Sequence, residues 1–177
     1  STKVGKELLA HTTDTLKRVS LELGGSLPMI VTKNCNLEAA VAGATRRSFR
    51  NMGQICIAVN RIYVDETIYE EFLTKFKEAA TKLTIGNGLT EDVDLGPMCS
   101  PKGLATTKRH IEDALNKGAR LVCGGKKPEG KAFEKGYFFE PTILADVNHE
   151  MLIMQEETFG PAVGVMPYKT IDEAIEL

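Results

Sequence analysis

Residues 61–83 have the sequence RIYVDETIYEEFLTKFKEAATKL, in which a strand pattern leads directly into a helix pattern. Arg61 to Val64 predicts a strand, and Asp65 is a residue type that caps helices. Apolar side chains then recur about every four residues, the spacing of one buried helix face. They are Ile68, Phe72, Phe76, Ala80 and Leu83. The stretch therefore predicts one strand-then-helix unit with its apolar face in a core.

Further helices and strands are predicted on both sides of this unit. Asn36 caps a segment whose apolar residues fall at helical spacing. Ser100, followed by Pro101 at the first helical position, starts another helix that Gly118 ends. Leu121 to Cys123 then predicts a short buried strand. Strands that alternate with helices are typical of an α/β domain with a largely parallel sheet, which is the fold class we predict.

The two ends of the chain contain shorter signals. Ser1 is expected to cap a helix that runs to about His11. Val19 to Leu23 alternates apolar and polar residues, which predicts a strand. Thr170 and Glu173 match a capping box, so a helix is predicted to begin just before the last residue. We interpret the chain as an internal fragment of a longer protein.

Composition excludes several classes of partner. The chain has 177 residues, and its 22 basic and 24 acidic residues are interspersed with a net charge of -2, so no nucleic-acid footprint is present. No apolar run approaches the roughly 20 residues that span a bilayer. We expect a cytoplasmic protein with a small-molecule partner and without a membrane or nucleic-acid partner.

Cys56 and Glu22 are the candidate catalytic residues. A thiol nucleophile and a carboxylate that can deprotonate water suffice to make a thioester and then hydrolyse it. The other cysteines show no metal-ligand spacing and are expected to be buried and inert, and no metal site is predicted. A cysteine hydrolase would need a histidine base, but the three histidines have no accompanying motif, and we expect them at the surface. They are His11, His110 and His149.

Six short motifs, in this order and approximate spacing, resemble the NAD(P)-dependent aldehyde dehydrogenase superfamily over nearly the whole chain. They are Glu22-Leu23-Gly24-Gly25, Asn51-x-Gly53-Gln54-x-Cys56, Gly96-Pro97, Gly118-Ala119, Pro141-Thr142 and Glu156-Glu157-Thr158-Phe159-Gly160-Pro161. The resemblance implies a three-layer fold that is truncated at both ends. Residues 1–24 would be the end of the nucleotide-binding domain, and residues 25–177 most of the catalytic domain.

The resemblance also implies a mechanism. Cys56 would add to an aldehyde to give a thiohemiacetal whose hydride leaves for a nicotinamide ring, and the resulting thioester would be hydrolysed by water that Glu22 deprotonates. Of the two oxyanion donors in the family, the backbone N–H of Cys56 is present, whereas the asparagine side chain lies upstream of Ser1. The family members assemble into homo-oligomers, so the same is expected of the longer protein.

Cofactor contacts follow from the same resemblance. Glu157 matches the family carboxylate that binds the nicotinamide ribose, and Phe159 matches the aromatic that packs beside it. Ser1 would meet the pyrophosphate, and Leu23 with Gly24 completes the expected cofactor contacts. The cofactor would be NAD or NADP, with no signal in these residues to choose between them.

Arg50 carries the substrate hypothesis. Phe49-Arg50-Asn51 resembles the succinate-semialdehyde branch of the family, where an arginine binds the distal carboxylate of the substrate. Arg50 also lies at the end of a predicted helix, where any cation complements the dipole. Aldehyde dehydrogenases of other specificity therefore remain an alternative. Two further alternatives are a CoA-acylating dehydrogenase and an inert folded fragment that lacks part of its cofactor site.

Overall fold

The computed structural model describes residues 1–89 and 92–177, and within them five strands form a single sheet. The sheet order is β1-β2-β5-β4-β3, and every neighbouring pair is parallel except β3 with β4. The strands are β1 Leu27–Val31, β2 Val59–Asp65, β3 Arg120–Cys123, β4 Thr142–Ala145 and β5 Ala162–Tyr168. The predicted α/β class with a largely parallel sheet is confirmed.

Six α-helices lie among the described residues, and none of them is both long and apolar enough to cross a bilayer. Four predicted N-caps are confirmed, since the side chain of Ser1, Asn36, Ser100 or Thr170 accepts a backbone N–H three residues ahead. Asp65 instead accepts the N–H of Thr67 and caps a short 3-10 turn that precedes α3. The helices are α1 Thr2–Ala10, α2 Leu37–Phe49, α3 Tyr69–Thr81, α4 Pro101–Asn116, α5 Leu152–Gln155 and α6 Ile171–Glu176.

The core lies on both faces of the central strands. Consecutive residues of β4, and nearly all of β2 and β5, are buried, so side chains that point to opposite faces are all covered. Helices α2 and α3 pack against each other, and Phe49 stacks on Phe76 across that contact with ring centroids 5.7 Å apart. The apolar face predicted for residues 68–83 belongs to this core.

Two strand predictions are corrected by the structure. Val19 to Leu23 is not a strand: residues 17–26 are irregular, and the sheet starts only at Leu27, because no strand among the described residues lies beside this segment to pair with it. Leu121 to Cys123 does lie in a strand, β3, but it is not buried. It forms the edge of the sheet, pairs only with β4, and leaves Leu121 43% exposed.

Three strands, β1, β4 and β5, were not predicted. The most consequential is β5, which lies at the centre of the sheet between β2 and β4. Its sequence, AVGVMPY, is a nearly continuous apolar run that follows Gly160 and Pro161, the usual pattern of a strand buried on both faces. The sheet therefore contains more strands than the sequence signals alone indicated, including the central strand that joins β2 to β4.

Candidate active site

A left-handed turn precedes Cys56. Three consecutive residues, Asn51, Met52 and Gly53, have φ values of 53°, 59° and 66°. This region is unfavourable for side chains with a Cβ, and Asn tolerates it better than Met. Burial of Met52, which is 1% exposed, helps to offset the unfavourable backbone. The sharp turn reverses the chain between α2 and the loop that contains Cys56.

Gln54 connects this turn to a second loop. Its side-chain amide donates to the carbonyl of Asn51 at 3.0 Å, and its side-chain oxygen accepts the backbone N–H of Cys99 at 2.9 Å. The Asn51 amide in turn donates to the carbonyl of Gln54 at 3.1 Å. These bonds explain physically why Asn and Gln stand three residues apart before Cys56, whose side chain is exposed at the end of the turn.

Gly53 is the position in this turn where a side chain is least tolerable. A Cβ there would overlap the carbonyl oxygen of Gly160 and lie 3.0 Å from that of Ser48. We expect Gly53→Ala to lower the free energy of unfolding by about 3 kcal/mol, because the left-handed backbone and the overlap are both unfavourable. Urea titration of the purified protein measures this loss.

Gly43→Ala is the matched control for that prediction. Gly43 lies inside α2 with no neighbouring atom within 4 Å of an added Cβ. Alanine there should raise the free energy of unfolding by about 0.5–1 kcal/mol, since glycine is a poor helix former. Equal effects of the two substitutions would contradict the account of the turn.

A cleft of about 360 Å³ brings together seven of the eight predicted site residues. It is lined by Ser1, Glu22, Leu23, Gly24, Cys56, Glu157 and Phe159. These residues come from the start of α1, the irregular segment 17–26, the turn after α2 and the loop before β5. Glu22 and Cys56, thirty-four positions apart in the sequence, therefore face the same space.

Glu157 is fixed at the cleft wall by the two glycines that follow Leu23. The backbone N–H of Gly25 donates to Glu157 Oε1 at 3.3 Å. A Cβ on Gly24 would overlap the Glu157 carboxylate, so a larger residue there would displace this carboxylate from its position. The glycine pair thus links the segment containing Glu22 to the loop containing Glu157.

His110 is buried, contrary to the prediction that it lies at the surface. Its side chain is 0% exposed on α4, and its Nδ1 lies 3.0 Å from Thr158 Oγ1. His149 is also partly covered, with Nε2 2.8 Å from the Tyr63 hydroxyl, whereas His11 is exposed as predicted. The sequence carries one signal for His110: it immediately precedes Ile111, which lies on the buried face of α4.

Arg50 is the one predicted site residue outside the cleft. It lies just after α2 and lines a separate pocket of about 60 Å³ together with Arg46, Arg47, Ile55 and Ile57. Ile55 and Ile57 are the residues on either side of Cys56 in the sequence. Arg50 is therefore close to the Cys56 loop, but away from the cleft that contains Glu157 and Phe159.

Comparison with known proteins supplies the family. All 177 residues match the aldehyde dehydrogenase family. A succinate-semialdehyde dehydrogenase [NADP(+)] of Escherichia coli is 45% identical over 174 residues, 98% of this chain and 35% of that protein. A glutarate-semialdehyde dehydrogenase of Pseudomonas aeruginosa is 45% identical over 177 residues, 100% of this chain and 36% of that protein.

A solved structure agrees in fold. A betaine aldehyde dehydrogenase from Staphylococcus aureus, in complex with NAD+, superimposes with a TM-score of 0.93 at 33% identity and covers 98% of this chain and 34% of its own. The chain thus spans about a third of the length of the proteins it matches. With a family match over its whole length, the chain belongs to the aldehyde dehydrogenase family.

Proposed function

We propose that the protein containing this chain oxidises an aldehyde to a carboxylic acid with NAD(P)+, with Cys56 as nucleophile and Glu22 as general base. The observation that carries this proposal is the single cleft lined by Cys56, Glu22, Glu157 and Phe159. It contains an accessible thiol, a carboxylate and two further side chains suited to a nucleotide. The family membership of the chain supports the same reaction.

The cleft fits the nicotinamide end of a dinucleotide. Glu157 uses Oε1 to accept from Gly25, which leaves Oε2 able to accept a hydrogen bond from a sugar hydroxyl. Phe159 is 39% exposed in the cleft and offers an aromatic face to a planar ring. Leu23 and Gly24 would pack beside the same end, and Ser1, at the N-terminus of α1, would face the phosphates.

The first half of the reaction uses Cys56. Its thiolate would add to the carbonyl carbon of the aldehyde, and the backbone N–H of Cys56 would donate to the oxyanion that forms. Bound NAD(P)+ would supply the acceptor for the hydride that leaves this carbon. The carbonyl then re-forms as a thioester with the Cys56 sulfur.

The second half uses Glu22. Its carboxylate would take a proton from water, and the resulting hydroxide would attack the thioester carbonyl. The C–S bond breaks, the carboxylic acid leaves and the Cys56 thiolate is regenerated. Glu22 is exposed and belongs to the irregular segment 17–26, so water reaches it directly.

We propose further that the aldehyde carries an acid group at its other end, as succinate semialdehyde does. The two curated relatives named above act, by their names, on semialdehydes of dicarboxylic acids. Arg50 is exposed and lies beside Ile55 and Ile57, next to the thiol loop and outside the cleft proposed for the nucleotide. A guanidinium there would bind a carboxylate in a bidentate manner while the aldehyde end reaches Cys56.

Arg50→Ala tests this specificity. In the natural polypeptide that contains residues 1–177, we expect kcat/KM for succinate semialdehyde to fall about 100-fold, because a charge-assisted bidentate contact of about 3 kcal/mol is lost. kcat/KM for an uncharged aldehyde of similar length should change less than about threefold. NAD(P)H absorbance measures both rates.

Arg47→Ala is the matched control, since Arg47 lies at the same helix end and lines the same small pocket. A loss of preference for the semialdehyde in Arg50→Ala but not in Arg47→Ala supports a specific clamp. Equal losses in both variants would indicate a general electrostatic effect of the helix end. Wild-type rates that are equal on both aldehydes would overturn the proposed substrate class and leave aldehyde oxidation in place.

A further inference from the structure

We propose that His110 is a positioning residue, which holds the loop of Glu157 and Phe159 in the geometry that binds the cofactor. This inference rests on the proposed function. It starts from the directions of four consecutive side chains in the loop before β5. Glu157 and Phe159 line the cleft, whereas Glu156 and Thr158 contact His110 on α4. Alternate residues thus face opposite sides of the loop.

The protonation state of His110 follows from its surroundings. Burial lowers the pKa of its imidazole, and the nearby Arg109 guanidinium lowers it further against the opposing effect of Glu156, so the ring is neutral near pH 7. The Glu156 carboxylate, 3.3 Å from Nε2, can only accept a hydrogen bond. Arg109 Nη2, which can only donate, lies equally close to Nε2 at 3.3 Å, so these contacts are compatible with either tautomer. In both tautomers Nδ1 shares a hydrogen bond with Thr158, because the hydroxyl can donate or accept.

The Thr158 contact is the stronger of these two links to the loop. Thr158 is 1% exposed and its hydroxyl lies 3.0 Å from Nδ1, so water does not compete for this bond. Glu156 is half-exposed and also accepts from Arg109 at 2.6 Å. The buried link thus acts on the residue that lies directly between Glu157 and Phe159.

Two further contacts join α4 to the chain from α5 to β5. A Cβ on Gly160 would overlap the hydroxyl of Thr107, which is buried on α4. The Asp113 carboxylate accepts the backbone N–H of Leu152 at 2.8 Å at the start of α5. The carbonyl oxygen of Gly160 lies so close to Gly53 of the Cys56 turn that a Cβ on Gly53 would overlap it. Helix α4 therefore fixes the chain before β5, and the thiol turn packs on that chain.

His110 is proposed to hold Phe159 in an unfavourable backbone conformation. Phe159 has a φ of 47°, which is unfavourable for an aromatic residue. When the Thr158 hydroxyl is held by Nδ1, the neighbouring backbone is fixed and Phe159 is kept in this conformation. Without the bond the loop can relax, which would move Glu157 and Phe159 away from the nucleotide.

The test compares substitutions that remove one link at a time. Thr158→Val keeps the shape of the side chain and removes the hydroxyl. His110→Gln places its amide near the Nε2 position and no polar atom at Nδ1, whereas His110→Asn places an amide, which can accept or donate, at the Nδ1 position. Arg109→Ala removes an exposed partner of Glu156 and of His110 Nε2 but leaves the bond between Nδ1 and Thr158 in place, and it is the control.

The readout is the Kd for NAD(P)+, measured by calorimetry on the natural polypeptide that contains residues 1–177. We expect about a tenfold rise in Kd for Thr158→Val and for His110→Gln, which corresponds to one lost hydrogen bond. The double variant should be no weaker than either single one, because both remove the same bond. His110→Asn should lie within about threefold of wild type, and Arg109→Ala within about twofold.

A second readout separates positioning from folding. Acylation of Cys56 by an activated ester requires no cofactor and should proceed at the wild-type rate in all these variants. Unchanged Kd values with a lowered Tm would overturn the inference, since His110 would then serve stability alone. If the wild type itself does not bind NAD(P)+, the proposed function fails; if it binds and the variants bind equally well, only the role of His110 fails.

Discussion

Cys56→Ala is expected to lower kcat for aldehyde oxidation by about 10⁴-fold or more, because removal of a covalent nucleophile eliminates the step to the thioester. The thiol is exposed at the end of the left-handed turn and faces the cleft with Glu22. NAD(P)H formation in the natural polypeptide measures the loss. Binding of NAD(P)+ should persist, since Glu157 and Phe159 are unchanged.

Cys99→Ala is the matched control for the nucleophile. Cys99 is also exposed, contrary to the prediction that it is buried, and its backbone N–H, rather than its thiol, contacts Gln54. Cys35 and Cys123 are partly covered, and burial raises the pKa of the Cys123 thiol, which disfavours its thiolate. Activity that survives in Cys56→Ala and disappears in Cys99→Ala would show that Cys99, and not Cys56, is the nucleophile.

Glu22→Gln is expected to separate the two halves of the reaction. Glutamine cannot accept a proton from water, so hydrolysis of the thioester should slow by about 10²- to 10⁴-fold while its formation continues. A rapid burst of about one NAD(P)H per active site should then precede a slow steady state. Stopped-flow absorbance follows the burst, and mass spectrometry of the quenched protein detects the acyl group on Cys56.

Glu66→Gln, at an exposed glutamate before α3, is the control and should show no accumulated thioester. The same burst experiment addresses the CoA-acylating alternative. If added CoA restores fast turnover in wild type and in Glu22→Gln alike, then water is not the natural acceptor. A variant that turns over at the wild-type rate without CoA would remove Glu22 from the mechanism.

Local signals in the sequence were sufficient for the fold class and for five of the six helices among the described residues; the short helix α5 was not predicted. Ser1, Asn36, Ser100 and Thr170 each accept a backbone N–H at the start of the predicted helix, because capping depends on residues only three positions apart. The apolar spacing of residues 68–83 predicted a buried helix face for the same reason. Strands were predicted less well, since pairing depends on residues far away in the chain.

The segment Val19 to Leu23 illustrates that limit. Its alternation is typical of a strand, yet no strand in the described part of the chain lies beside it, and Gly25 donates to Glu157 instead of to a sheet. The central strand β5 shows the converse. Its apolar run has the local pattern of a buried strand, but its place at the centre of the sheet, between β2 and β4, depends on residues far away in the chain.

The sequence by itself determined the longer helices, four of their caps, the α/β class and the motifs around Cys56, Glu22 and Glu157, because these depend on residue types at short spacing. Only the tertiary structure decided that Glu22 and Cys56 share a cleft, that Arg50 lies outside it, and that His110 is buried against Thr158. Those relations join positions dozens of residues apart. They are fixed by how the turn after α2, helix α4 and the loop before β5 pack together.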